Sequence, residues 1–292
     1  MKKVISAVTM VAVLGLNAAA YFDGSLSGTS GPHGYKGMNL NLVIGTGNLA
    51  IEPSLATYKS DDTDLGTSAG KTFRTYAVRA AMEQDKFTVA GFAGTTPKVD
   101  KYSNIFAGGD ITVSLTPGSG GHSRLAGPGS RGGASGGQGL TRIDVGVGLK
   151  HTIHTRAQTV GSDKDSGQTE GSLFAGAKIL MLNLSASYTG YKYGDDDVKT
   201  PQGFVPGLNF ASYSRPKSSV NVKMDLPGQP LVTPFVAYTK TKYKDGIDST
   251  AAYLLGAYLD FSMVRANVGY QIFNNGSAND SFLSIGAGMK FN

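Results

Sequence analysis

The feature that most constrains this chain is a two-residue alternation of apolar and polar side chains that recurs along almost all of it after residue 20. Over residues 141–154, Ile143, Val145, Val147, Leu149, His151 and Ile153 share one face, and Arg142, Asp144, Gly146, Gly148, Lys150 and Thr152 the other. Successive side chains of a strand point to opposite sides, so such a segment is a strand with one apolar and one polar face. Val264, Ala266, Val268, Tyr270 and Ile272 repeat the pattern against Arg265, Asn267, Gly269 and Gln271. Residues 105–115 repeat it again, and helical periodicity is nearly absent.

Followed along the chain, the alternation predicts about fourteen strands, within roughly twelve to sixteen, at the lengths a tilted membrane strand needs. They fall near residues 20–28, 36–45, 48–58, 71–82, 86–96, 103–115, 141–154, 170–180, 182–193, 209–226, 231–244, 249–261, 264–274 and 281–292. A soluble sandwich also alternates, but the connections separate the two cases. Tight links at Thr46-Gly47, Gln84-Asp85, Met181, 227–230 and Ser262-Met263 alternate with longer polar ones at 59–70, 97–102, 155–169, 194–208 and 275–280. Short turns at one end and long loops at the other, with an even strand count, predict an all-β, antiparallel, up-and-down transmembrane barrel. Residues 116–140 depart from this rule. They form a Gly-rich insertion of flexible-linker composition on the short-turn side, which is either a miscounted strand pair or a segment that is mobile or folded into the lumen and dispensable for assembly.

The N-terminus predicts export. Met1-Lys2-Lys3 is followed by an apolar run over 4–16 and by Asn17-Ala18-Ala19-Ala20, which places small residues where a signal peptidase reads them. The run is too short for a spanning helix. Cleavage after Ala20 leaves one barrel domain over 21–292, 292 − 20 = 272 residues, and removing Lys2 and Lys3 takes the formal charge from +6 to 6 − 2 = +4. So mild a charge, on an exported chain, gives no reason to expect nucleic acid as a partner. With no cysteine, disulfides, thiolate nucleophiles and Cys-ligated zinc are excluded.

The last strand adds a resemblance. Leu283, Ile285, Ala287, Met289 and Phe291 alternate with Ser284, Gly286, Gly288 and Lys290, and an aromatic residue stands next to the end. Together with the leader, this resembles the Gram-negative outer-membrane β-barrel proteins of porin-like type. The resemblance implies an outer-membrane location, recognition of Phe291 by the barrel-assembly machinery, and lipid and lipopolysaccharide as surroundings. No plug domain or energy-coupling box precedes the first strand, so a gated siderophore transporter is not expected. Tyr58, Tyr102, Tyr193, Tyr213, Tyr243 and Tyr253, near strand ends, are expected to supply interfacial girdles in place of the missing Trp.

Few residues suggest chemistry. His151 and His154 are three apart and so face opposite sides of a strand; no Ser or Asp is placed against either, or against His33 or His122. The G-x-G-x-x-G match at 127–132 lacks the strand and helix that would make it a nucleotide site. Asp195-Asp196-Asp197 lacks the alternate-residue ligand spacing of a calcium loop. No catalytic, cofactor or metal site is expected. Strand phase instead turns Arg79, Arg142, Lys150, Lys178, Arg215, Lys217, Lys223, Lys240, Lys242, Arg265 and Lys290 inward, against Glu52, Asp110, Asp144, Asp225 and Asp260. A basic excess lining a pore favours anions. The expected function is therefore passive diffusion of small hydrophilic solutes with a mild anion preference, in a monomer or a homo-oligomer. The alternative is a closed barrel that anchors the envelope or serves adhesion, which narrowing by Phe106, Phe174 and Tyr258 would favour; an outer-membrane hydrolase is a third reading.

Overall fold

The computed structural model describes residues 21–62, 68–84, 86–116, 124–128, 141–156, 163–195, 200–202, 212–226, 231–244, 246–276 and 278–291. The expected leader and its cleavage at Ala20 lie outside these residues. So do most of the Gly-rich insertion and the side chains of Lys290 and Phe291.

The strands, in chain order, are β1 (Tyr21–Ser30), β2 (Lys36–Thr46), β3 (Leu49–Lys59), β4 (Phe73–Glu83), β5 (Phe87–Val99), β6 (Tyr102–Ser114), β7 (Thr141–Arg156), β8 (Lys164–Ile179), β9 (Leu182–Tyr193), β10 (Thr200–Gln202), β11 (Ser212–Ser214), β12 (Pro216–Asp225), β13 (Val232–Tyr243), β14 (Thr250–Phe261), β15 (Val264–Asn274) and β16 (Asn279–Phe291). Fourteen of them form one closed antiparallel barrel, in which β9 pairs with β12 and β16 closes on β1 through Phe22↔Phe291. The two short strands β10 and β11 pair only with each other. Closure leaves no barrel strand edge unpaired, a condition that backbone in lipid must meet.

Strand pairing sets which side chains look inward. On β7 these are Arg142, Asp144, Lys150, Thr152 and His154, opposite the inward Ser114, Thr112, Asp110 and Asn104 of β6. The outward face is apolar around the wall. Leu26, Ile51, Val78, Ile105, Leu149, Leu173, Leu255 and Ile285 are each 41–62% exposed. An apolar belt of this extent exceeds what a soluble monomer tolerates, so the belt is a lipid-facing surface.

Both barrel termini lie at the end that carries the tight turns, here the terminal end; the opposite end is the loop end. At the terminal end Gly47, with φ +54°, supplies the left-handed conformation of a two-residue turn. Several expectations shift at the loop end. Residues 97–102 are not a long loop: β5 and β6 run on to a turn at Asp100-Lys101, with a register shift beside Pro97. β8 starts at Lys164, six residues before the expected 170, and β12 starts at Pro216 instead of 209. The tyrosine girdle is also corrected. Tyr58, Tyr102, Tyr193 and Tyr243 point inward and are buried; Tyr253 is outward and exposed, and the Tyr213 side chain lies outside the described residues. At the loop end Tyr35, Tyr58, Phe73, Tyr102, Phe273 and Phe282 belong to one buried cluster, with Tyr58 stacked on Phe73 at 5.2 Å and Tyr35 edge-on to Phe282 at 5.4 Å.

Candidate functional site

The lumen wall is charged, and several of its charges are paired within the wall. Arg79 on β4 donates from Nη1 to Glu52 on β3 at 2.8 Å, and from Nε and Nη2 to the two oxygens of Asp110 on β6 at 3.2 and 2.9 Å. Arg142 donates from Nε to Asp144 at 2.9 Å, with both side chains fully buried. Lys150 meets Glu170 at 2.7 Å, Lys223 meets Asp225 at 3.4 Å, and Arg265 binds Asp260. Pairs of this kind are expected in a low-dielectric interior, because an uncompensated charge there is costly.

Two of the expected lumen lysines lie elsewhere. Lys240 and Lys242 on β13 pair with Val220 and Ser218 of β12, on the outward side, and both are exposed. The inward residues of β13 are Thr233, Phe235, Ala237, Thr239 and Thr241. Both faces of β13 carry apolar residues, Phe235 and Ala237 on one and Val236 and Tyr238 on the other, so alternation left its phase ambiguous. Lys217 is exposed in a bulge between Pro216 and Ser218, and Arg215 is buried just before β12. Lys178 is inward opposite Arg142. Sequence reasoning also missed acids that share the lumen: Glu170, opposite Lys150; Glu83, which accepts from the Tyr21 hydroxyl at 2.7 Å; and Asp23 opposite Val43. Glu170 opened an expected strand and Glu83 lay one residue beyond another, where phase is least defined; carrying the phase of Phe174 and Lys178 back by twos would have found Glu170.

A directed hydrogen-bond chain runs along the wall from β6 to β8. Asn104 Nδ2 donates to the Tyr102 hydroxyl at 2.8 Å, and that hydroxyl lies 2.7 Å from His154 Nδ1. His154 Nε2 is 2.9 Å from Gln168 Oε1, and Gln168 Nε2 donates to Glu170 at 3.0 Å. With the Gln168 amide nitrogen committed to Glu170, its oxygen accepts from His154 Nε2–H. His154 thus has a hydrogen-bond partner at both ring nitrogens. His151, as its spacing required, is on the outer face, 3.0 Å from Thr169.

The large inward rings lie against the wall. Phe106 is cross-strand from Gly94, Phe92 from Gly108, Phe174 from Gly146 and Phe235 from Gly256. In each pair a Cβ on the glycine would run into the ring. The missing side chain lets the ring lie flat over backbone, a device that also covers exposed glycine in strands. Phe174 is further covered by Gly127. Residues 124–128 of the Gly-rich insertion therefore lie inside the barrel: Arg124 donates from Nε to Thr88 at 2.7 Å and from Nη2 to the Gln84 carbonyl, and the Leu125 amide donates to Asp144 at 2.9 Å.

What remains open is a set of cavities. One of about 420 Å³ lies between the β8–β9 wall (Ser172, Phe174, Ser185, Ser187, Thr189) and an opposite side of Phe92, Ala126, Gly127 and Pro128. A second of about 270 Å³ lies toward the loop end, between Tyr58, Tyr102, His154, Gln168 and Tyr191. Lys150 and Glu170 line both. This arrangement positions donors and acceptors along a polar path; it assembles no nucleophile and base.

No protein-family model matches the chain, and no curated protein matches it. Solved structures do match in fold. The CymD monoaromatic hydrocarbon channel has 11% identity and a TM-score of 0.52, with 93% of this chain and 88% of that one covered. CdiB from Acinetobacter baumannii has 10% identity and a TM-score of 0.49, and the chain spans 60% of its length and 93% of its own. OccK3 (OpdO) of Pseudomonas aeruginosa has 11% identity and a TM-score of 0.45, covering 96% of this chain and 99% of that one. The architecture is that of the outer-membrane β-barrels.

Proposed function

We propose that the protein is a passive outer-membrane channel for small hydrophilic solutes. The observation that carries this reading is the way the wall holds its own bulk. Charged side chains pair within the wall and inward rings lie over glycines, which leaves open two cavities that share Lys150 and Glu170 in their lining. The mild anion preference expected from the sequence becomes weaker still. With Lys240 and Lys242 outside and Asp23, Glu83 and Glu170 inside, little inward excess of positive charge is left to carry it. We assign no enzymatic role, because Tyr102 and Gln168 occupy both nitrogens of His154, the one inward histidine among the described residues.

The anchor reading has its own support in the buried aromatic cluster at the loop end and the segment 124–128 inside the barrel. Swelling of liposomes containing the purified chain, in iso-osmotic solutes of graded size, separates the two. A channel of this bore admits the smallest solutes and loses rate steeply with size. No swelling in any solute supports the anchor.

A further inference from the structure

We infer that the larger lumen cavity is a binding subsite for a neutral pyranose sugar; the inference deepens the channel reading by naming the class of solute. The two walls of the cavity differ in chemistry. One, on β8 and β9, presents the hydroxyls of Ser172, Ser185, Ser187 and Thr189, with Asn221 beside them on β12. Ser172 and Thr189 bond to each other at 2.9 Å, and Asn221 donates to Thr239 at 2.7 Å. Hydroxyls paired this way can each accept or donate once more. Phe174 lies beside these hydroxyls on β8, cross-strand from Ser187, and the opposite side is apolar: the Phe92 ring with Ala126, Gly127 and Pro128.

A pyranose has the matching shape, with apolar C–H faces and a rim of hydroxyls. Lying with a face on the Phe92–Pro128 side, it turns its rim toward the serines and toward Lys150 and Glu170. That ion pair offers an ammonium donor and a carboxylate acceptor 2.7 Å apart. Two neighbouring hydroxyls of a sugar can use both at once, one accepting from Lys150 and one donating to Glu170. Lys150 also lies 5.5 Å from the centre of the Phe106 ring, which fixes the pair's position.

The paired charges favour a neutral ligand over an ion. An anion placed here meets Glu170 and Asp110, and a cation meets Lys150 and Lys223, so neither gains net attraction. The cavity volume is within the range of small-molecule sites.

The test is calorimetric titration of the purified full chain in detergent with glucose, mannitol and sodium gluconate, joined to current recordings in planar bilayers with the same solutes. Mannitol keeps the hydroxyls but lacks the ring faces; gluconate adds a charge. We expect saturable binding of glucose, at least about tenfold weaker binding of the other two, and glucose binding weakened about tenfold in each of Glu170→Gln and Ser187→Val. Each variant is first checked for the boiled-versus-unboiled gel shift of a folded barrel; if one loses it, the other decides. Equal binding of glucose and mannitol, stronger binding of gluconate, or no glucose binding overturns the subsite. If glucose binds but no current flows, the subsite stands and the channel reading falls. If current flows without glucose binding, the reverse holds.

Discussion

Arg79 is the residue on which the lumen wall depends most locally. Its guanidinium joins β3, β4 and β6 through Glu52 and Asp110, and the Asp110 side chain has no solvent exposure. Removing one member of a buried pair leaves the other charge uncompensated, at a cost of about 3–5 kcal/mol. Arg79→Ala should lower the urea midpoint of the refolded barrel accordingly, with Asp110→Ala similar and Lys240→Ala near wild type; an unchanged Arg79→Ala midpoint means the triad does not stabilise the wall. The glycines beneath the rings give a second prediction. Gly94→Val pushes Phe106 off the wall toward Lys150 and should reduce conductance, while Gly28→Val, with little near its Cβ, should not. At this scale the sequence was partly legible. Arg79, Glu52, Asp110, Arg142 and Asp144 were expected inward and are, because Glu52 pairs opposite Arg79 and Asp144 opposite Ser114 in strands whose phase is unambiguous. Lys240 and Lys242 were misplaced because charge alone does not phase a strand.

For whole elements, alternation identified every barrel strand, because lipid outside and polar contacts inside constrain each strand from both faces. It failed where a strand leaves the lipid. Residues 164–169 of β8 are polar on both faces, and Pro97 and Lys98 of β5 read as loop although the strand runs through them as an irregularity and pairs again at Val99. Within the expected strand 209–226, residues 212–214 pair with β10 and not with the barrel, a choice local pattern does not reveal. The Gly-rich composition of the insertion allows a mobile segment or one in the lumen; residues 124–128 take the second course, and only three-dimensional structure could show Arg124 reaching Thr88 and Gln84. Its tie to the wall makes a prediction: Arg124→Ala, and more so with Asp144→Ala, should raise single-channel conductance, since both fastenings of the segment are then lost. No change in either places the segment outside the conducting path. The outer belt makes another. Leu255, near the middle of β14 and 62% exposed, faces lipid, so Leu255→Arg should cost about 2–4 kcal/mol in lipid vesicles.

The molecule as a whole combines a closed ladder, an apolar outer belt and an inner wall that carries cations and acids side by side, several of them in ion pairs. The ladder and the belt imply a barrel that resists detergent until heated, with different gel mobility before and after boiling. The inner wall implies weak ion selectivity. The sequence suggested a basic lumen because it was read strand by strand, whereas cancellation depends on partners brought together by register, such as Lys150 and Glu170. Planar-bilayer recording of the purified full chain tests the central claim most directly. The account predicts discrete conductance steps, with a reversal potential near zero in a salt gradient that Lys240→Glu leaves in place and Lys150→Glu shifts toward cation preference. A correctly inserted, heat-modifiable barrel that carries no current would contradict it.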